Sequence, residues 1–523
     1  MPLLAMLLIA SSVLALRAAR PDRVGEVVLS PIWQPNEWYQ LDGRQSISLC
    51  ELPAGVRYRL VIGCLGDSAE EYAVRVQLSY SRHRVHLGGS HALALHQPNN
   101  LSTSSTRERG GSRNADERES PMHDRWRRDH NLSRLNPAPC SWRTESEQPI
   151  GSTRDFFLHV TDGDFGDPKQ YARITARNVA CGQRVRVFLD QQLPDGEVSS
   201  SRIEELLQTL EADVLPRIES QFGPLQDVDQ DGRLAVVLTP WLSRLQGGRT
   251  SIGGMVRSSD FRVDVPAPLG NRGDMLFLNS ALPSDDSLRD LLSHEVAHAA
   301  CISQRLTHRG DRVAEEEDWL SEALAHMAEP GWSNLDQRLA TFLEEPSRYP
   351  LVVPDYYRAG LWRNPGCRGA TYLFTRWCVE RYGSTLIRQL VDSPTSGTHN
   401  LEQATGQSFD ELFREWSVSL ASGDALASSD LHVVLARLDS QGLKPVEFDA
   451  DEDHEQTLRV RGTALTVVEF RVSSSESRIL KIVGTPTARW QFSICQLRDD
   501  LPKRSVAEAY EFLVDEFHER QSP

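Results

Sequence analysis

The sequence predicts a multidomain α+β protein, with a central mixed α/β unit that turns strongly helical, flanked by two β-rich domains. Three observations predict this class. Segments near both ends alternate apolar and polar residues, the period of half-buried strands. Between residues 151 and 422, short apolar runs are mixed with stretches of helical periodicity. The chain has 523 residues, 39% of them hydrophobic and 25% charged, which is enough for several cores.

The first 16 residues carry no charge and are rich in Leu and Ala. This length suits a signal-peptide core (residues 1–19) better than a membrane span. Val13-Leu14-Ala15 fits a small-residue cleavage pattern. No Lys or Arg precedes the run, so an uncleaved N-terminal anchor is the alternative and the only expected membrane contact. Either way the protein is expected to be exported. Residues 22–96 read as a β-rich accessory domain, with alternation in VRYRLVIGC (56–64) and YAVRVQLSY (72–80). Residues 97–150 carry charges of both signs and almost no aliphatic side chains, the composition of a disordered linker.

The central unit, 151–422, opens with strands expected at 156–161 and 185–190 and a helix at 201–222. Strands follow at 233–240 and 275–280 before the helices begin at residue 285. A linker is expected at 421–430, a sandwich-like β domain at 430–500 and a helical tail at 501–523. Eight cysteines behind an export signal permit disulfides, and Cys50 and Cys64 are placed to bridge neighbouring strands. No C-x-x-C occurs, so neither a ribbon-type zinc site nor a redox motif is supported. The net charge of −16 argues against a nucleic-acid partner, which would need a basic footprint.

The chemistry concentrates in S-H-E-V-A-H-A, residues 293–299. His294 and His298 are four apart and share one helix face, so both imidazoles can reach one zinc ion. Glu295 is rotated by about 100°, close enough to reach a water at that ion without ligating it. Three fixed positions also arise by chance on polar helices, so a third ligand must decide. Glu322 stands 24 residues beyond His298, in EEEDWLSEALAHMAE (315–329), where a second helix could bring it to the same ion.

H-E-x-x-H followed by W-L-x-E-x-x-A-x-x-x-E resembles the gluzincin metallopeptidases, the clan of thermolysin and the zinc aminopeptidases. The resemblance implies His294, His298 and Glu322 as ligands of Zn2+ and Glu295 as general base. Trp319, Leu320, Ala325 and Glu329 fit the flanking pattern. Two positions depart from it. Ala323 replaces the usual Gly, and His326 stands where the clan often has a carboxylate bonded to a zinc-binding His. His326 is then either a hydrogen-bonding partner of a ligand or a surplus ligand. The segments at 222–240 and 404–416 are more similar to secreted hyicolysin-like neutral metallopeptidases, and the whole resemblance covers roughly residues 155–420.

Other residues fit supporting roles. Asp227, Asp229 and Asp231 alternate before Gly232, a spacing that suits Ca2+, or a polar turn into a strand. A donor to the oxyanion is sought among Tyr356, Tyr357, Tyr372 and His399, with Tyr357 preferred for its loop-like setting. The strand at 275–280 is expected to be the sheet edge on which an extended peptide pairs. The resulting expectation is an exported zinc peptidase acting on peptide or protein substrates. The alternatives are a silent peptidase-like binding or scaffold protein and a zinc hydrolase of a non-peptide amide.

Overall fold

Strands from both ends of the chain meet in one sandwich. The computed structural model describes residues 25–29, 41–42, 45–49, 56–66, 69–80, 149–161, 164–309, 315–330, 335–361, 364–423, 442–448, 454–471 and 478–497. The expected signal peptide, nearly all of the charged linker and the helical tail lie outside these residues.

The N-terminal strands are β1 (Gly25–Leu29), β2 (Leu41–Asp42), β3 (Gln45–Leu49), β4 (Arg57–Cys64) and β5 (Glu71–Tyr80). The central strands are β6 (Thr153–His159), β7 (Tyr171–Cys181), β8 (Val185–Asp190), β9 (Leu234–Thr239), β10 (Gly254–Met255) and β11 (Met275–Asn279). The last five are β12 (Val446–Phe448), β13 (His454–Arg461), β14 (Leu465–Arg471), β15 (Arg478–Gly484) and β16 (Trp490–Leu497).

Two five-stranded sheets form the sandwich, in the orders β1-β3-β15-β5-β13 and β12-β14-β4-β16-β2. β4 is hydrogen-bonded to β14 and β16, and β5 to β13 and β15, all antiparallel. The two separate β domains expected at 22–96 and 430–500 are therefore corrected to one unit built from both. Alternation identifies a strand and its apolar face, but it does not say which strand lies beside it. Tyr58, Leu60 and Ile62 of β4 pack with Val74, Val76 and Leu78 of β5 and with Phe470, Ile482 and Ile494. Val61 points the other way, into the helical unit, together with Leu465 and Val467. Cys64 is buried with a free thiol, and Cys50, its expected bridging partner, lies outside the described residues.

The central sheet has the order β10-β11-β9-β8-β7-β6, with β8, β9 and β11 parallel to one another. β9 and β11 are buried along their whole length, which is why LAVVLT and MLFLN read as continuous apolar runs. β11 is not the edge expected from the sequence. β10 pairs antiparallel with it and takes the edge position. β10 is only two residues long, Gly254 and Met255, so no strand periodicity marked it.

Helices cover one face of this sheet. α1 (Ser200–Thr209) and α2 (Leu215–Phe222) are joined through a π turn at Leu210–Val214. Pro216 lacks a backbone N–H, so a regular α ladder cannot run unbroken through it. α3 (Asp285–Arg309) follows, then α4 (Asp318–Ala328), α5 (Leu335–Glu344) and α6 (Pro365–Tyr382). α7 (Thr385–Val391), α8 (Gly397–Thr405) and α9 (Phe409–Ser422) complete the unit. Among the described residues no helix is long and apolar enough to cross a membrane. Trp416 joins the two halves of the helical core, stacked on Phe342 and edge-on to Phe374.

Candidate metal centre

α3 supplies two imidazoles one turn apart and α4, packed against it, supplies a carboxylate. His294 Nε2 and His298 Nε2 are 3.2 Å apart. Glu322 Oε2 lies 3.4 Å from His294 Nε2, and Glu322 Oε1 lies 3.9 Å from His298 Nε2. Donors bound at about 2.0–2.1 Å around a tetrahedral zinc stand roughly 3.3 Å apart. The donor set and its spacing therefore fit Zn2+, with two imidazoles and one carboxylate converging from two helices.

Each of these donors has a holder. His294 Nδ1 is 2.8 Å from Glu329 Oε1, so the ring donates there and leaves Nε2 free for a metal. His298 Nδ1 is 3.2 Å from the Ser321 hydroxyl, which fixes its tautomer in the same sense. Burial, with the nearby His294 and Arg368, holds His298 well below the usual imidazole range, so the ring is neutral. Glu322 is ion-paired with the Arg368 guanidinium.

His326 resolves between its two expected roles. Its side chain is fully buried, with Nδ1 2.6 Å from Glu329 Oε1. Arg338 lies 3.0 Å from Nε2, so both ring nitrogens are engaged. Although its nitrogens approach the His294–Glu322 pair closely enough to be considered donors, His326 holds Glu329, which in turn holds His294. Burial pushes His326 down to about 4, so the ring is neutral. Burial alone would raise Glu329, but His326 and His294 outweigh it and keep the carboxyl well below its usual range.

Glu295 is buried, and burial pushes its carboxyl up to about 7, against the opposing effect of His294. It faces β10 directly. A Cβ on Gly254 would fall 2.6 Å from the Glu295 carboxylate carbon, so the edge strand and the carboxylate are in close contact.

Tyr357 is placed edge-on to Phe165, with ring centroids 5.8 Å apart. Tyr356 is buried beneath Arg368, whose guanidinium lies 5.3 Å from the ring centre. The Tyr372 hydroxyl accepts from Arg376 at 3.0 Å, and His399 is exposed on α8.

The Asp227–Gly232 loop is tied by its own hydrogen bonds. Asp227 accepts from the amides of Asp231 and Gly232, and Asp229 pairs with Arg154 at 2.9 Å. Asp231 pairs with Arg186 at 2.5 Å. The three carboxylates that approach one another are instead Asp227, Asp229 and the buried Asp274.

Ser321, Arg338 and Arg368 carried no signal in the sequence. Glu329 did, because it follows Glu322 by two helical turns and so shares its face.

No protein-family model matches the chain, and no curated protein matches it. Among solved structures, 19 chains match. One is a two-domain M1 zinc metallopeptidase mutant bound to L-arginine, at 14% identity and a TM-score of 0.25. The match covers 56% of this chain and 62% of that one. Another is an M1 zinc metallopeptidase mutant from Deinococcus radiodurans bound to a Tyr-Ser-Ala substrate, at 13% identity and a TM-score of 0.24. It covers 57% of this chain and 62% of that one. This chain thus spans less than two thirds of either structure, and likenesses this slight carry neither the fold nor the chemistry.

Proposed function

We propose that this chain is an exported zinc-dependent peptidase that hydrolyses peptide bonds with Glu295 as general base. The observation that carries the reading is the convergence of His294 Nε2, His298 Nε2 and the Glu322 carboxylate within 3.2–3.9 Å, with Glu295 buried beside them. Zinc, when bound, supplies a Lewis acid that acidifies water and polarises a carbonyl. The chain's own residues do the rest. Glu295 takes a proton from the attacking water on a carboxylate oxygen and later delivers it to the leaving amine. Burial favours this, because a carboxyl pushed up to about 7 can both accept and return a proton near neutrality. The outer edge of β10, pressed against Glu295 through Gly254, offers backbone groups with which an extended peptide can pair. The apolar leader at residues 1–19 supports export.

The test measures bound zinc and cleavage of unfolded casein and a mixed peptide library by wild type and by Glu295→Gln. About one zinc in each, as the three-ligand site requires, with cleavage by wild type alone, is the expected result. Zinc in both with cleavage by neither would turn the reading towards a binding protein. No zinc in either would remove it.

A further inference from the structure

A buried cation at the wrong end of a helix needs an explanation outside that helix. Arg368 stands in the first turn of α6, after the N-cap Asn364 and Pro365, where the helix dipole disfavours positive charge. Its guanidinium is almost wholly buried. Charges are withdrawn from water at a cost of several kcal/mol, so a buried one implies partners. Those partners are the metal-site carboxylates. Arg368 is ion-paired with Glu322 and lies near Asp318 and Glu295. The Tyr356 ring backs it at 5.3 Å. Its place on α6 is fixed by Gly369, where a Cβ would come 2.2 Å from the Arg338 carbonyl oxygen, so α6 and α5 touch backbone to backbone.

We propose that Arg368 is a positioning residue that holds the Glu322 carboxylate in place for the metal through their ion pair. The inference rests on reading the site as a zinc centre. Without Arg368, Glu322 loses the partner that fixes its carboxylate beside His294 and His298 and is free to rotate away. That rotation must be reversed before a divalent ion binds. Partners that orient a metal ligand typically contribute tenfold to a hundredfold in metal affinity. Arg368 acts through Glu322 and not on the substrate, so its loss should lower affinity for zinc and kcat while leaving KM nearly unchanged.

The experiment measures zinc affinity by competition with a chromophoric chelator, alongside kcat and KM, for wild type, Arg368→Met, Arg368→Lys and Glu322→Gln. Circular dichroism reports folding. Arg368→Met should bind zinc at least tenfold more weakly, and Arg368→Lys, which keeps the charge, should recover part of that loss. In the Glu322→Gln background, Arg368→Met should cost little more, because the group it positions has lost its charge. If Arg368→Met fails to fold, the Lys variant and its behaviour with Glu322→Gln decide. Zinc affinity within twofold of wild type in a folded Arg368→Met protein overturns the inference. So does a rise in KM with affinity intact, which would mean that Arg368 touches substrate. A wild type that binds no zinc overturns the metal-centre reading itself, and the inference with it.

Discussion

One oxygen of Glu329 receives protons from two imidazoles, His294 at 2.8 Å and His326 at 2.6 Å. That carboxylate therefore sets the tautomer of a proposed zinc ligand, and its charge is what makes the ring a good donor. Glu329→Gln keeps the shape and removes the charge. It is expected to weaken zinc binding by about tenfold or more, with the fold intact, as chelator competition would show. An affinity equal to wild type would count against Glu329 as the holder of His294. Asp274 poses a different problem. Burial pushes its carboxyl up to about 8, with Asp229 and Asp227 adding to the rise, while the Val228 amide opposes it. The folded protein thus keeps a proton that the unfolded chain releases near pH 4, so stability falls as pH rises from about 4 through 8. Asp274→Asn should remove that fall and stabilise the chelator-treated protein by about 1–3 kcal/mol at pH 8, with little gain at pH 4. Thermal melts at the two pH values would check it, and an equal gain at both would mean that Asp274 is not protonated in the fold. At this scale the sequence disclosed the donors, because helical spacing puts His294, His298 and Glu322 on usable faces. It did not disclose Arg368, since a cation in the first turn of a distant helix has no local pattern to betray it.

At the scale of elements, the site depends on how closely helices approach. α4 packs on both α3 and α6, and α6 packs on α5, so the four helices set the positions of His294, Glu322, Arg338 and Arg368 together. The closest backbone approach is at Gly369. Because the obstacle is the Arg338 carbonyl oxygen at 2.2 Å, a Cβ there cannot be relieved by a side-chain rotation. Gly369→Ala should therefore separate α5 from α6, cost about 1–3 kcal/mol and weaken zinc binding at the same time. Chemical denaturation combined with chelator competition would show both losses, and unchanged zinc affinity in a destabilised protein would uncouple the helix contact from the site. α3 and α4 were legible as amphipathic runs beginning near acidic residues. The π turn at Leu210–Val214 was not, because the apolar spacing on either side of it stays helical. β10 escaped notice for a simpler reason: two residues are too short for any period to register.

At the scale of the whole molecule, the main surprise is that the two ends of the chain make one sandwich. Each alternating run was visible in isolation, yet β4 finds both its neighbours some 400 residues away, at Leu465–Arg471 and Trp490–Leu497. No periodicity carries that pairing. What does foreshadow it is β4 itself, whose second half is apolar on both faces and so asks for cover on both. One cover is the partner sheet. The other is α9, where Phe413 lies 2.8 Å from the place a Gly63 Cβ would occupy and Gln491 donates to the Asp410 carbonyl at 2.7 Å. The sandwich is thus seated on the helices that build the proposed metal centre, and Leu351 donates its amide to the Thr463 carbonyl at 3.0 Å on the same side. A chain ended after residue 423 would keep every proposed ligand but strip β4 and β5 of their partners, exposing unpaired edges and the apolar faces of both. Such a truncation should aggregate or melt well below the full chain, and should lose zinc with it. Supplying residues 424–523 as a separate polypeptide during refolding should restore solubility and metal binding in part. A soluble, zinc-loaded truncation with an unchanged melting temperature would mean that the terminal strands are an appendage and that the central unit stands alone.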